Sequence, residues 1–449
     1  MSNPALNEII SIHVGQAGTK IGESCCKLFC VEHGIDKSGF ILNNHCTDRT
    51  GNIDTFFNVN SDSKYIPRSL FVDLDDGSIN EIMNGSLRRL FDPRYLISNK
   101  EDASNNFARG YYTVGRKIIS NVMDSVQSLA ENCENLSGFL IYNSICGGTG
   151  SGFGSLLMQK LSKQYRKKTK MCFCVFPSNK LASAVVEPYN SILSTHATLP
   201  HSDCNFLVDN EAIYGICRNK LDLEKPSFFE LNMVIAHAVS FITTSFRFDG
   251  SLNVNLNEFQ TNLVPFPTVH FIATAISPLR SSSKSTYSNV GGQQIFQECF
   301  DKGNQLLSCD IEKGKLMTAC ILFKGVVPMR DVNVGIESIR HSKIEYVDWA
   351  PITFKVGINH RTMDCLPNDI VGRSLLSAGM VINSTAMGKC WNKLNQKFDK
   401  LYSKKAFVHW YVGEGMEEGE FTESRENLAN LERDYLEMSI DCNSEEDEY

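Results

Sequence analysis

The richest chemistry in the sequence lies in Cys146–Gly152, which reads Cys-Gly-Gly-Thr-Gly-Ser-Gly. A loop that grips a phosphate needs small residues, because backbone N–H groups must converge on a bulky, multiply charged anion. An apolar run precedes this loop and a leucine-spaced segment follows it, which predicts a strand, a glycine loop and a helix. The helix N-terminus would face the anion with its partial positive charge, and Thr149 and Ser151 add hydroxyl donors. We therefore predict a phosphate-binding loop.

The spacing of the glycines separates this loop from two common phosphate-binding motifs. No lysine follows the glycines as in a Walker loop, and the pattern is not the Gly-x-Gly-x-x-Gly turn of a dinucleotide-binding fold. Backbone amides, the helix end and a metal ion must then neutralise the phosphate charge. A dinucleotide-dependent oxidoreductase, the enzymatic alternative, would also need an acidic ribose-binding residue after such a turn.

A second strand, turn and helix are predicted near the start of the sequence. Ile9–Val14 is a short apolar strand, and Gly15–Gly18 forms a tight turn that leads into a helical segment. Two such units in one half of a chain imply a parallel sheet that binds its ligand at the carboxyl ends of the strands. Further buried strands are predicted at Phe71–Leu74 and Met171–Pro177.

The second half of the sequence has a mixed pattern. Residues 210–232 carry a helical register that would bridge two halves of the molecule, whereas residues 36–64 and 277–289 are typical of polar surface loops. Strands are predicted at His270–Ile276, Ala319–Phe323 and Thr353–Val356. Near the end, Thr422 would cap an amphipathic helix with apolar positions at Leu428, Leu431, Tyr435 and Met438.

The cysteines and the hydropathy pattern indicate the cellular compartment in which the protein would reside. Sixteen cysteines at irregular spacings in apolar segments favour packed, reduced thiols over a disulfide framework or a zinc site. Residues 1–6 contain no positively charged or long apolar run, so we expect a cytosolic protein. No apolar run approaches the ~20 residues needed to span a bilayer, so we expect no membrane partner.

The net charge of −7 is concentrated at one end of the sequence. Residues 434–449 contain seven acidic residues and no lysine or arginine, which leaves the rest of the chain neutral. Such a tail would repel nucleic acid and anionic membranes, and it would attract basic partners over a distance limited by salt screening. We expect no nucleic-acid partner. A tail that only improves solubility is the alternative.

The glycine loop resembles the signature of the tubulins and of the related bacterial cell-division GTPases. Other segments resemble the α branch of the tubulin family, in the same order, from about Ser11 to Tyr449. They are Ser11–Gly18, Phe71–Leu74, Val185–Asn190, Glu258–Asn262 and Phe407–Phe421. The resemblance implies a subunit that binds GTP non-exchangeably with Mg²⁺, pairs with β-tubulin and polymerises with other dimers into cytoplasmic microtubules. Motors, associated proteins and tail-modifying enzymes would bind its acidic tail.

The combined pattern predicts an α/β protein with a tubulin-like fold. It would contain a doubly wound parallel-sheet GTP-binding domain, a mixed α+β second domain and a C-terminal helical region. The predicted boundaries are a nucleotide domain at residues 1–209, an intermediate domain at 210–385, C-terminal helices at 386–438 and an acidic disordered tail at 439–449. With 449 residues and 42% hydrophobic content, the chain is long enough for two or three packed units.

The resemblance implies roles for residues around the nucleotide. The phosphates would be held by Gln16, Ala17, Ser144, Gly147, Gly148, Thr149 and Gly150. The pocket would include Asp73 and Asn105, and Asp75 would support the metal. The ribose would lie at Ser183 and Glu187, and the guanine would contact Asn210, Asn232 and the ring of Phe228. These roles suit the side chains, because carboxylates hold hard cations and amides present paired donors and acceptors.

Glu258 is the catalytic residue that the resemblance implies. The matching glutamate in the family acts across the longitudinal interface, where it positions the water that attacks GTP held by the next β-subunit. One carboxylate that orients one water is a sufficient protein contribution to phosphoryl transfer.

Four residues depart from the family pattern at the site. Cys146 replaces a glycine, so it adds a side chain and removes access to positive φ. Lys20 replaces a glutamine and could supply a compensating positive charge, while Asp75 is one methylene shorter than the usual glutamate. Asn255 replaces an aspartate three residues before Glu258. We expect GTP binding to be retained and hydrolysis in the neighbour to be weakened.

The assembly surfaces also differ from the family. Residues 40–63 contain no lysine to accept acetylation, Tyr287 stands in place of a histidine in a lateral-contact loop, and the first eight residues form a longer start. These changes favour a specialised isotype. A tubulin relative that binds β-tubulin or microtubule ends without joining the lattice is the alternative.

Overall fold

The computed structural model describes residues 7–42, 51–178, 182–282, 291–340, 344–366 and 369–440. Its first half alternates strands and helices. They are β1 (Glu8–Val14), α1 (Gly15–His33), β2 (Phe57–Val59), β3 (Tyr65–Pro67), β4 (Ser69–Val72), α2 (Asp76–Asn84), β5 (Leu96–Ile97), α3 (Val114–Glu131), β6 (Leu136–Ser144), α4 (Gly154–Gln164), β7 (Thr169–Phe176), α5 (Glu187–Thr198), β8 (Cys204–Asp209) and α6 (Asn210–Asn219).

The second half is mixed. It contains α7 (Phe228–Arg247), α8 (Leu256–Leu263), β9 (Phe271–Ser277), α9 (Gly292–Phe300), β10 (Lys315–Lys324), α10 (Met329–Arg340), β11 (Glu345–Tyr346), β12 (Phe354–Asn359), β13 (Ser377–Ser384), α11 (Met387–Tyr402), α12 (Val408–Val412) and α13 (Gly419–Glu437). The predicted second-half strands correspond to β9, β10 and β12, whereas β8 and β13 were not predicted.

One large sheet runs through both halves. Its strand order is β11-β10-β13-β9-β8-β7-β6-β1-β4-β5, and β12 also pairs with β10. The strands of the first half are parallel, and β8 continues the parallel pairing into β9. Among the described strands of this large sheet, β13 forms the antiparallel pairs, with β10 and β9. The predicted doubly wound sheet is confirmed, since α1 and α7 pack on one face and α3, α4 and α5 on the other.

Stacked rings fix the register of the central strands on the α1 face. His13 lies between Phe71 and Tyr142, with ring centroids 4.5 and 4.6 Å away, and Tyr142 stacks on Phe173 at 5.1 Å. Burial lowers the pKa of His13 to about 3, so the ring is neutral and packs as an aromatic group. This ladder aligns the carboxyl ends of β1 and β6, where both turns of the predicted phosphate site begin.

A buried charge cluster joins the two halves. Glu32 on α1 accepts hydrogen bonds from Arg247 Nη1 at 2.5 Å, from Ser240 Oγ at 2.5 Å and from Lys324 Nζ at 2.9 Å. Arg247 and Ser240 lie on α7, and Lys324 ends β10. The three charged residues are at most 3% exposed. One carboxylate therefore pairs with two buried cations at the point where the halves meet.

Two local predictions were wrong and a third was partly right. The predicted helical register is confirmed for Ile213, Ile216 and Cys217, which are buried on α6, but α6 ends at Asn219 and the long connecting helix is α7. α7 is also long and apolar enough to cross a membrane by length and composition, although 72% of its apolar window is buried in the protein. Thr422 does not cap α13, which starts earlier, at Gly419. The predicted apolar positions Leu428, Leu431 and Tyr435 are nevertheless buried.

The predicted surface loop of residues 36–64 is only partly a loop. Phe56 and Phe57 are buried, and β2 pairs with β3 in a short hairpin. Sequence periodicity could not show this, because a strand of three residues is too short to alternate recognisably. Residues 43–50, Tyr287 and the end of the acidic tail lie outside the described residues.

Candidate nucleotide site

Two helix N-termini meet where the adjacent parallel strands β1 and β6 end. α1 starts at Gly15, whose φ of +71° lies in the left-handed region that favours glycine. A Cβ at Gly15 would lie 3.3 Å from the Gly150 nitrogen, so α1 abuts the glycine loop. Gln16 is exposed and Ala17 is half-buried in the first turn. Neither helix start carries an acidic residue in that turn, so an anion would meet two partial positive charges.

Close packing, rather than left-handed backbone, explains the glycines of the loop. After Cys146–Gly148 the chain enters a π-helical turn, Thr149–Phe153, that continues into α4. No residue of this loop or turn has a positive φ. A second π-helical turn, Arg109–Thr113, packs against the first, and a Cβ at Gly110 would lie 3.1 Å from the Phe153 nitrogen. A side chain in this contact would push the two turns apart.

Cys146 fits the loop, contrary to the expectation from the sequence. Its φ is not positive, and its sulfur turns inward, 3.7 Å from the Val175 carbonyl oxygen. Burial raises the pKa of the thiol to about 12, so it stays neutral. Its amide donates a hydrogen bond to Ser144 Oγ at 3.3 Å. The space beside Gly147 remains open, with Asn105 Oδ1 4.0 Å from a Cβ built there.

Asp73 and Asp75 follow β4 but have different surroundings. Asp73 is 3% exposed and accepts hydrogen bonds from the Leu74 nitrogen at 2.8 Å and from Ser78 Oγ at 2.5 Å. Burial raises the pKa of Asp73, although these hydrogen bonds oppose the shift. Asp75 is exposed at the N-cap of α2. Asp73 therefore organises the turn, and Asp75 is the carboxylate that can reach a cation.

Ser183 and Glu187 contact each other at the start of α5. Glu187 Oε1 accepts hydrogen bonds from the nitrogen and the hydroxyl of Ser183 at 2.6 and 2.8 Å, and from the Ala184 nitrogen at 3.1 Å. Because Glu187 is 5% exposed, its carboxylate shapes this turn and leaves the Ser183 backbone at the surface.

The three residues expected at the guanine lie on two helices that follow β8 in the chain. Asn210 and Phe228 begin α6 and α7, and Asn232 lies one turn into α7. The Phe228 side chain is 73% exposed, which leaves its ring available for stacking. Lys20 does not supply the expected compensating charge, because it forms an ion pair with Glu81 on α2.

Asn190, which the sequence did not single out for a role at the site, holds the site together. Its amide nitrogen donates hydrogen bonds to the carbonyl oxygens of Asn105 at 2.7 Å and Cys146 at 2.9 Å. Its amide oxygen accepts from the Phe107 nitrogen at 3.0 Å and from the Tyr411 hydroxyl at 2.7 Å. Three segments, residues 105–107, the glycine loop and α12, thus converge on one fully buried side chain of α5. Asparagine occurs in too many loops for the sequence to reveal this role.

Replacing Asn190 with alanine is expected to lower the stability of the protein by about 3 kcal/mol and to reduce its content of bound nucleotide. Buried carbonyl and amide groups would lose their partners, and each costs about 1–3 kcal/mol when left unsatisfied. Thermal unfolding and nucleotide extraction of the purified protein measure both effects. Asn80→Ala, at an exposed position on α2, is the control and should change neither. An unchanged unfolding temperature in Asn190→Ala would contradict the prediction.

Glu258 lies at the opposite end of the sheet from the glycine loop. Thr169, the first residue of β7, donates a hydrogen bond to Asn257 Oδ1 at 3.0 Å, so α8 packs at the amino ends of the central strands. The glycine loop follows the carboxyl end of β6, whose nine residues span roughly 25 Å. Glu258 therefore cannot reach a ligand held by the loop of its own chain.

The Glu258 carboxylate has one charged partner in the described structure. Its Oε2 lies 2.5 Å from Lys355 Nζ on β12, and both side chains are about one-third exposed, at 35% and 34%. Asn255 is the exposed N-cap of α8 but makes no capping hydrogen bond with its side chain. The ion pair with Lys355 holds Glu258 in place at a surface that another molecule can approach.

Comparison with known proteins agrees with this architecture. Residues 8–218 match the Tubulin/FtsZ family GTPase domain, and residues 267–396 match the Tubulin C-terminal domain. The chain is 50% identical to the tubulin alpha-2 chain of Caenorhabditis elegans over 98% of both chains. It is 48% identical to the tubulin alpha-1 chain of Saccharomyces cerevisiae, over 99% of this chain and 100% of the yeast protein.

Proposed function

The chain belongs to the tubulin family, in its α-tubulin branch, and from this premise we propose that it pairs with β-tubulin and promotes GTP hydrolysis on the next β-subunit of a microtubule. The observation that carries the proposal is the separation of Glu258 from the glycine loop by the length of a strand. A carboxylate that cannot serve its own nucleotide can serve one presented by a neighbour stacked end to end.

The residues at the carboxyl ends of β1 and β6 fit a nucleoside triphosphate. The phosphates would meet the two helix N-termini, with the amides of Gly147–Gly150 and the first turn of α1 as donors. Asp75 would hold Mg²⁺, in part through water, since a hard cation prefers oxygen ligands. The ribose would lie at Ser183, and the guanine at Asn210, Phe228 and Asn232. Because Glu258 is remote, this bound GTP would not be hydrolysed.

Hydrolysis in the neighbour would depend on positioning. The Glu258 carboxylate would accept a hydrogen bond from the attacking water and hold it in line with the γ-phosphate of the β-subunit. Lys355 would fix the carboxylate and add a positive charge beside the phosphate. The acidic tail would recruit motors, associated proteins and tail-modifying enzymes, and the assembled protein would reside in cytoplasmic microtubules.

Asn255→Asp is expected to raise GTP turnover in the mixed polymer about 3- to 10-fold, which corresponds to roughly 1 kcal/mol of barrier. Aspartate would restore a negative charge three residues before Glu258, on the surface that faces the partner. The stability of the Asn255→Asp variant should hardly differ from that of the native protein, because asparagine and aspartate are comparable N-caps. Phosphate release during assembly measures the effect, and Asn430→Asp, exposed on α13, controls for added charge alone. Equal turnover in both variants would refute the role given to Asn255.

Co-expression with β-tubulin tests the whole proposal. Purification should give a heterodimer with two nucleotides, one of them unhydrolysed GTP, that pellets under assembly conditions. A complex with one nucleotide or none that fails to pellet would contradict it. The non-lattice alternative is not favoured, because the chain is about 50% identical to α-tubulins over nearly its whole length.

A further inference from the structure

A line of lysines lies on the exposed side of α11. Lys389, Lys393, Lys397 and Lys400 follow one another at spacings of four, four and three residues, so they share one flank of the helix. The Lys397 side chain is half-buried and the other three are exposed. These four residues form a lysine stripe about 17 Å long, since an α-helix rises 1.5 Å per residue.

The lysine stripe forms no ion pair within the part of the chain that the structure describes. Asp399, the acidic residue of α11, pairs instead with Arg425 on α13, with 2.9 Å between Oδ1 and Nε. The ammonium groups of Lys389 and Lys397 donate hydrogen bonds to backbone carbonyl oxygens. Asp209 shares a cavity with two of the lysines, so it can balance at most one of the four charges. The stripe therefore keeps an excess of positive charge.

The end of α13 lies beside the start of the lysine stripe, because α11 and α13 run antiparallel. The Asn392 side chain on α11 donates a hydrogen bond to Glu432 Oε2 on α13 at 2.9 Å. Nearer the start of α11, a Cβ at Gly388 would lie 3.0 Å from the Cβ of Tyr435. The residues that follow α13 therefore leave the body of the protein next to the N-terminal end of α11.

The segment that leaves there has the charge and the length to cover the lysine stripe. Residues 441–449, outside the described residues, contain five acidic residues, four of them consecutive at 445–448, and no lysine or arginine. The lysines lie about a third of a turn around α11 from Asn392, which faces α13, so the segment must cross roughly 10 Å of helix surface. When extended, residues 441–444 can span up to about 14 Å and residues 445–449 about 17 Å more. The first part is long enough for the crossing, and the second part matches the length of the stripe.

We propose that residues 441–449 fold back across the start of α11 and dock on the lysine stripe of the same chain. Each exposed contact between a lysine and a carboxylate is weak and screened by salt. Because the segment is tethered beside the stripe, its effective concentration lies in the millimolar range, which favours it over acidic groups of other molecules. The docked acids are hidden from basic partners, so the contact is autoinhibitory. That consequence rests on the recruitment proposed above, whereas the docking itself does not.

Carbodiimide coupling of the purified full-length protein with its co-purifying partner tests the docking. The reagent joins a carboxylate to a lysine amine as an amide, with loss of water, where the two groups are in contact. Peptide mass mapping should find residues 445–448 joined to Lys389, Lys393 or Lys400, with the same yield after about tenfold dilution, since the contact is intramolecular. Links only to lysines outside the stripe, or no links, would overturn the proposal. A yield that falls on dilution would also overturn it, in favour of docking on a second copy.

Proteolysis of the segment gives a second readout that does not depend on lysine amines. At low salt, a glutamate-specific protease should cut within residues 445–448 at least about fivefold faster in a variant with Lys389→Gln, Lys393→Gln and Lys400→Gln than in the native protein. At about 1 M salt, where the Debye length is about 3 Å, the two proteins should be cut at the same rate. A free peptide of residues 437–449 corrects for the effect of salt on the protease.

A matched control variant separates the lysine stripe from net charge. Lys160→Gln, Lys163→Gln and Lys167→Gln remove three exposed lysines from another surface and should leave the segment as protected as in the native protein. Equal cleavage of the native protein and the stripe variant at low salt would refute the docking. If the stripe variant fails to fold, the links found in the unsubstituted protein still decide.

Discussion

Glu258→Gln is expected to slow GTP hydrolysis in a co-assembled polymer by roughly 10²- to 10⁴-fold, the range typical of a positioned general base. Glutamine has the same shape but cannot accept a proton or balance the charge of Lys355, which lies 2.5 Å from Glu258 Oε2. Because the Glu258 side chain is about one-third exposed and lies far from the glycine loop, GTP held by this chain should be unaffected. Phosphate release after assembly, normalised to polymer mass, measures the loss.

The controls distinguish a catalytic effect from an assembly effect. Glu426→Gln removes the same charge from the exposed face of α13 and should hydrolyse GTP at the normal rate. Glu258→Gln polymer should still form and should accumulate GTP on the β-subunit. Normal phosphate release from that polymer would rule out Glu258 as the group that positions the water. Loss of polymer without GTP accumulation would instead indicate that Glu258 contributes to contacts between subunits.

Glu32→Ala is expected to destabilise the protein by about 3–5 kcal/mol, the usual cost of removing one partner from a buried ionic cluster. Arg247 and Lys324 would keep their positive charges in the interior without a carboxylate. Since Glu32, Arg247 and Lys324 come from α1, α7 and β10, the loss should loosen the junction between the two halves. Thermal unfolding, together with hydrogen exchange of α7 amides, measures both effects.

Matched substitutions test whether the burial of Glu32 causes the large destabilisation by Glu32→Ala. Glu101→Ala removes the carboxylate of an exposed ion pair, whose Lys117 Nζ lies 2.7 Å away, and should hardly change the stability, because solvent screens the pair. Glu32→Gln keeps an acceptor for Ser240 but no charge, and should fall between the two. Equal destabilisation by Glu32→Ala and Glu101→Ala would contradict the proposed role of the buried cluster.

The lowered pKa of Glu32 predicts that the stability of the protein depends on pH in acid. Burial opposes ionisation of Glu32, but the attraction of Arg247 and Lys324 and the hydrogen bond from Ser240 outweigh it and hold the Glu32 pKa well below 4.5. A carboxyl group with a lowered pKa in the folded state stabilises the fold fully above its unfolded pKa. That contribution is lost as the pH falls below about 4.5 toward the folded value. The stability difference between the native protein and Glu32→Ala should therefore shrink in acid.

Much of the sequence interpretation concerned features that are local along the chain. The glycine loop, the two strand–turn–helix units and the apolar stripe of α13 are each encoded within about 20 consecutive residues, and hydrophobic periodicity reveals them. The same local signals misjudged where the helix that begins at Asn210 ends and which residue caps α13, because both ends of a helix depend on tertiary packing as well as on propensity.

The sequence by itself determined the family, the parallel sheet and the position of the glycine loop, since these depend on short motifs and on the order of elements. Only the tertiary structure decided that Cys146 turns inward, that Asn190 ties three other segments to α5 and that Glu258 lies a strand length from the loop. It also brought Glu32 to its two cations. Each of these depends on contacts between residues far apart in the chain, which a single sequence does not encode at any fixed spacing.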